Sequence, residues 1–82
     1  MSPTIGQIVI YRLNVNDAAQ IRERPAHPHA IVRVGAGERY PMLVTRVIDT
    51  QTVNGMVFAD GEDTFWVAGR QIGSRAGEWQ FD

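Results

Sequence analysis

The residues best suited to bind a ligand are arginines and a tryptophan that lie in stretches typical of β-strands. All eight basic residues of the chain are arginine, and a guanidinium group binds phosphate through a planar fork of donors. Trp66 follows Phe65 at the end of one such stretch. Neighbouring residues of a strand face opposite sides, so one of the two rings can stay exposed and stack on a nucleobase. We therefore predict that Arg33 and Arg46 contact phosphates and that Trp66 stacks on a base.

Three further residues complete the predicted ligand-binding set. Tyr11 is a second candidate for stacking, and Asn54 or Asp63 is predicted to hydrogen-bond a sugar hydroxyl. Structural alternatives remain open for several members. An arginine in a half-buried sheet, such as Arg46, usually extends to solvent or pairs with an acid such as Asp63. One ring of the pair at 65–66 is expected to pack into the core.

No other cluster predicts catalysis or a metal site. His27 and His29 share one side of an extended chain, but zinc sites need three or four ligands and the chain has no cysteine. The acidic run at 60–63 lacks the spaced oxygen ligands of a calcium loop and is typical of a hairpin turn. No nucleophile, base and orienting group occur together. We therefore predict no catalytic residues, no metal and no cofactor, and a protein that is not an enzyme.

Composition and charge indicate one small domain, residues 1–82. With 44% hydrophobic and 21% charged residues, the chain is ordinary for a soluble globular protein. A chain of this size has a thin core, which favours a homo-oligomer. The sequence shows neither a membrane span nor a signal peptide, so we expect no membrane association and a cytoplasmic location. The net charge of −1 argues against nucleic-acid binding.

Strand-like segments separated by turn signals predict the sheet. The segments are residues 5–13, 27–34, 40–48, 56–59 and 64–68, with a short last strand near Trp79. Alternation within 5–13 places Val9, Tyr11 and Leu13 on one side and Ile8 on the other. Alternation within 40–48 places Arg46 on the same side as Met42 and Val44. Asn54-Gly55 is predicted as a turn, and Asp60-Gly61 as a hairpin turn.

One short helix is predicted after the first strand. Asn14 is a suitable N-cap and Asp17 follows three residues later, in a variant of the capping box, while Pro25 ends the helix. Such a short helix is not stable alone in water, so its apolar stripe, with Val15 and Ala18, must dock on the sheet. We therefore predict an α+β fold, a small antiparallel SH3-like or half-open β-barrel of five to six short strands with this one helix.

The chain resembles a group of small proteins encoded by tailed phages. The resemblance rests on YPM-x-V-x-RV at residues 40–47, on NG-x-V-x-x-DG-x-D-x-x-WV at residues 54–67 and on the closing GEWQF, and it covers nearly the whole chain. The sequence departs from the group between Arg22 and Glu38, where such proteins usually carry a longer insertion. The resemblance implies a phage accessory gene and brings no catalytic residues.

Small β-rich phage proteins include sponges, which sequester the nucleotide messengers of bacterial immunity, and the analogy is one of size and fold type. We therefore expect a non-enzymatic sponge that binds a nucleotide-derived immune signal in the host cytoplasm. The alternatives are a protein-binding inhibitor of a host defence enzyme and a minor structural or assembly protein of the virion.

Overall fold

Strands and one short helix make up the part of the chain that the computed structural model describes, which is residues 2–22, 35–59 and 64–82. The elements are β1 (Ile8–Arg12), α1 (Val15–Arg22), β2 (Arg39–Val47), β3 (Thr52–Phe58), β4 (Thr64–Gln71) and β5 (Trp79–Gln80). The strands form one antiparallel sheet in the order β4-β3-β2-β1-β5, curled into a half-barrel. The predicted α+β class and half-open barrel are confirmed. The predicted strand at 27–34 and the predicted turn at Asp60-Gly61 lie outside the described residues.

The first strand is shorter than predicted, but its two sides are as expected. Val9, Tyr11 and Leu13 are fully buried, whereas Ile8 on the other side is half exposed. Because β1 lies between β2 and β5, its buried side forms the middle of the core inside the curl. We call this buried side of the sheet the inner face and the opposite side the outer face.

The predicted cap of α1 is confirmed. The Asn14 side-chain oxygen accepts a hydrogen bond from the Asp17 N–H at 2.7 Å, and the Asp17 carboxylate accepts one from the Asn14 N–H at 3.2 Å. The predicted apolar stripe is wrong at one end, since Val15 is 69% exposed while Asp17, Ala18 and Ile21 are buried. The helix turns Asp17 inward because this carboxylate has a partner inside the barrel.

The predicted turn at Asn54-Gly55 is wrong, because both residues lie in the middle of β3. The chain turns earlier, at Asp49, whose carboxylate accepts a hydrogen bond from the Gln51 N–H at 2.8 Å. Gly55 is needed for packing rather than for a turn. A Cβ atom there would lie 2.5 Å from Cγ of the buried Met42 side chain.

Two β-bulges flank the centre of β3 and bend the sheet. In the β2–β3 ladder, Val44 pairs with Gly55 but Arg46 pairs with Asn54, so Thr45 is an extra residue. The β3–β4 ladder shifts at the same level, between Val53 and Gly55. Bulges increase the local twist and bend the bulged strand. Two of them, side by side, explain why the sheet curls here.

The bulge in β2 also corrects the predicted side of Arg46. Met42 and Val44 are buried as expected, but the extra residue reverses the alternation after them. Val47 packs against the core instead, and Arg46 is exposed on the outer face. A single extra residue exchanges the two faces of a strand because side chains alternate with period two.

The predicted short strand near Trp79 is confirmed as β5, and it closes one end of the half-barrel. Ile72, just after β4, bridges Trp79, and the Gly73 N–H donates to the Trp79 carbonyl at 2.8 Å. The Trp79 side chain is fully buried and meets Phe81 edge to face, with ring centroids 5.1 Å apart. Trp79 therefore ties the two ends of the sheet together through the core.

Candidate functional site

A buried polar cluster joins α1 to the sheet. The Tyr11 hydroxyl donates to Asp17 Oδ2 at 2.5 Å, and the Arg70 guanidinium donates to Asp17 Oδ1 at 3.2 Å. Asp17 is 1% exposed and Tyr11 is fully buried. Burial first, and the hydrogen bond to Asp17 second, raise the pKa of the Tyr11 hydroxyl well above its usual range. Through the Asp17 carboxylate the cluster links α1 to β1 and β4, and it positions the helix on the sheet.

The cluster ends at an open cleft of about 280 Å³. Arg70 borders this cleft with its side chain 30% exposed, while its Nε is buried and has no hydrogen-bond partner among the described residues. The Arg70 carbonyl accepts the indole N–H of Trp79 at 3.0 Å. The other lining residues are Asn14, Gly69, Gln71, Ala76, Gly77 and Glu78. Arg70 is thus held from both sides as a structural link between the helix and the closing strand.

The outer face carries a row of apolar side chains that crosses four strands. Ile8 of β1 pairs with Leu43 of β2, Leu43 pairs with Met56 of β3, and Met56 pairs with Trp66 of β4. We call these four residues the apolar row. Trp66 is 54% exposed and Ile8 is 48% exposed, and Phe58 beside the row is 37% exposed. Together these side chains form a partly exposed apolar patch on the outer face.

Three of the six predicted ligand-binding residues lie together on this outer face. Arg46 pairs with Asn54, and Asn54 lies two residues before Met56, which pairs with Trp66. Strand spacing and rise place the Cα atoms of Arg46 and Trp66 roughly 12 Å apart, on either side of β3. Both side chains are exposed, and Asn54 lies between them. The Asn54 side-chain oxygen already accepts a hydrogen bond from the Gly69 N–H at 2.7 Å.

One of the other three predicted residues, Tyr11, does not join this group. Tyr11 is enclosed in the core and offers no surface on which a base could stack. Arg33 and Asp63 lie outside the described residues. The apolar row was missed as a unit, because its four members lie in four separate strands and alternation relates only residues of the same strand. The missing signal was the register between strands, which aligns those members.

Comparisons with known proteins add no functional assignment. Searches found no matching family model, no matching curated protein and no matching solved structure. Within residues 2–22, 35–59 and 64–82, no group of three or more acidic, histidine or cysteine side chains is placed to hold a metal ion. No helix in those same ranges has the length and apolar character needed to cross a bilayer.

Proposed function

We propose that this protein is a non-enzymatic phage accessory protein that captures a nucleotide-derived signal of host immunity in the host cytoplasm. The observation that carries the proposal is the placement of Trp66, Asn54 and Arg46 on one face of the sheet. An exposed aromatic ring, an amide and a guanidinium group match the base, the sugar and the phosphate of a nucleotide. The phage context rests on the sequence resemblance.

Each of the three groups has a defined task in this proposal. Trp66 stacks on the base, a contact worth about 1–3 kcal/mol in single-strand binders. Arg46 donates charge-assisted hydrogen bonds to a phosphate. Asn54 uses its amide oxygen within the sheet, and its amide nitrogen supplies the donors for a sugar hydroxyl.

We further propose that the half-barrel belongs to the SH3-like class. The strand order supports this assignment, since the strands follow one another as a meander and the last strand returns beside the first. A short connection from β4 to β5, closed by the contact between Ile72 and Trp79, fits the same architecture. Folds of this class present binding surfaces for many unrelated ligands, so the assignment alone names none.

The test is a thermal-shift screen against cyclic dinucleotides and ADP-ribose derivatives. A ligand at 100 times its Kd stabilises the folded state by about 2.7 kcal/mol, which raises Tm by roughly 10–20 °C in a domain of this size. Trp66→Ala and Arg46→Ala should each remove most of the shift and leave the unliganded Tm within a few degrees. Val15→Ala and Arg75→Ala are matched controls, because both residues are exposed and lie off the outer face.

The recovered ligand separates the possible functions. A sponge returns the nucleotide unchanged after the protein is denatured, whereas a chemically altered product would establish an enzyme and refute the proposal. If no nucleotide shifts Tm and the apolar row is required to bind a host defence enzyme, the protein is an inhibitor. Incorporation into purified virions at fixed stoichiometry would instead support a structural or assembly role.

A further inference from the structure

The apolar row and the ligand-binding residues share one face, and this arrangement bears on how a ligand could be enclosed. Small-molecule sites are concave and bury most of the ligand's surface. The outer face is the convex side of the curled sheet, so a base stacked on Trp66 has its other side in water. Resting on the proposed function, we infer that a second copy of this chain packs outer face against outer face and completes the site.

The exposed apolar area of the outer face is too small for a stable dimer without a ligand, which fits a dimer that forms only when a ligand is bound. The exposed parts of Trp66, Ile8 and Phe58 together present on the order of 300 Å² of apolar surface. This equals a sizeable apolar patch for a monomer, but a stable interface needs about 800 Å² from each partner. These three side chains therefore supply less than half of the required area. A ligand between the two copies supplies additional contact on both sides.

The positive charge on the outer face also favours a dimer that forms only with a ligand. Arg39 and Arg46 are exposed on β2, and none of the outward-facing strand residues that the structure describes is acidic. Two copies placed face to face bring positive charges together, which opposes association without an anion. A bound phosphate accepts hydrogen bonds from guanidinium groups and removes this repulsion. Ligand binding and dimerisation are therefore coupled.

The twofold symmetry of such a dimer favours a dinucleotide as the ligand. The apolar row runs across the strands, so a twofold axis along it packs the row against itself, in the self-complementary manner of most homodimers. Trp66 then faces Trp66 of the second copy, and one Arg46 lies on each side of the axis. Such a site has two stacking rings and two guanidinium groups. It matches a dinucleotide with two bases and two phosphates better than a mononucleotide.

The experiment is sedimentation velocity of the full chain with cyclic dinucleotides, with AMP and without nucleotide. We expect a monomer alone and with AMP, and a dimer holding one cyclic dinucleotide per two chains. Ile8→Asp tests the interface, because Ile8 lies at the far end of the row from Trp66. This variant should stay monomeric and lose about 10-fold or more in dinucleotide affinity. Val15→Asp, on the helix, should behave as wild type.

The outcomes distinguish this inference from the proposed function. One dinucleotide bound to each monomer, with affinity lost in Trp66→Ala but kept in Ile8→Asp, overturns the dimer and leaves the sponge intact. A dimer that forms equally well without nucleotide overturns the coupling. If neither the monomer nor the dimer binds a nucleotide, the proposed function itself is overturned. Far-ultraviolet circular dichroism of Ile8→Asp confirms that the variant is folded before its monomeric state is interpreted.

Discussion

Replacing Asp17 with alanine removes an acceptor on which three donors depend. The Tyr11 hydroxyl, the Asn14 N–H and the Arg70 guanidinium all donate to this carboxylate, which is 1% exposed. A buried donor left without its acceptor costs about 1–3 kcal/mol, and a lost helix cap costs about 1 kcal/mol. Breaking a buried ion pair costs about 3–5 kcal/mol, and less here because Arg70 reaches solvent.

These costs overlap, since they belong to one network, and we expect a loss of about 3–5 kcal/mol in the free energy of unfolding. A domain of this length has about 4–12 kcal/mol in total, so Asp17→Ala is left marginally stable or unfolded. Asp17→Asn keeps the volume and an acceptor for the Tyr11 hydroxyl but loses the negative charge. We expect it to lose about 1–3 kcal/mol, between alanine and wild type.

The assay is urea denaturation followed by tryptophan fluorescence. Its change on unfolding comes mainly from the buried Trp79, whose indole N–H donates to the Arg70 carbonyl, because Trp66 is already about half exposed. Asp82→Ala is the matched control, because Asp82 is an exposed residue outside the strands and the helix, and its midpoint should barely move. The reasoning is refuted if Asp17→Ala loses less than about 1 kcal/mol, or if it is no less stable than Asp17→Asn.

Two further predictions concern the core. Gly55→Ala should lower the free energy of unfolding by about 1–3 kcal/mol through overpacking, because the added Cβ meets the buried Met42 side chain. Gly35→Ala is the control and should be nearly neutral in the same urea titration, because the space around Gly35 is open. The folded-state pKa of Tyr11 lies above its ordinary value of 10.0. The neutral hydroxyl therefore contributes fully to the free energy of unfolding below pH 10, and this contribution declines as the pH rises further. The free energy of unfolding should fall by up to about 1.4 kcal/mol per pH unit above pH 10. Tyr11→Phe is less stable at neutral pH but should lack this alkaline loss. If both proteins lose stability equally per pH unit, the loss does not come from Tyr11.

Local signals in the sequence were sufficient for the existence of most of the described strands and for the helix cap. Alternation placed Val9, Tyr11 and Leu13 on one side of β1, and all three are buried. The short side chain of Asn14, three residues before Asp17, identified the capping box that the structure contains. These features depend on residues that are neighbours in the chain, so composition and spacing are enough to predict them.

The candidate site was only partly predictable for a different reason. Arg46 and Trp66 were identified by residue type, but the first was assigned to the wrong side of its strand and their relation was unknown. Tyr11 was a stacking candidate by type, yet the structure encloses it against Asp17. The missing information is the pairing register and the bulge at Thr45, which depend on the partner strand rather than on local propensity.

The sequence by itself determined that this chain forms short strands and one capped helix, because those preferences come from neighbouring residues and from the period of side-chain alternation. Only the tertiary structure decided that Gly55 lies in a strand, that Asp17 joins Tyr11 to Arg70, and that Ile8 and Trp66 lie on one row. Each of these facts joins residues far apart in the chain. Their meeting is settled by ladder register and by the fit of side chains such as Met42, which no local pattern specifies.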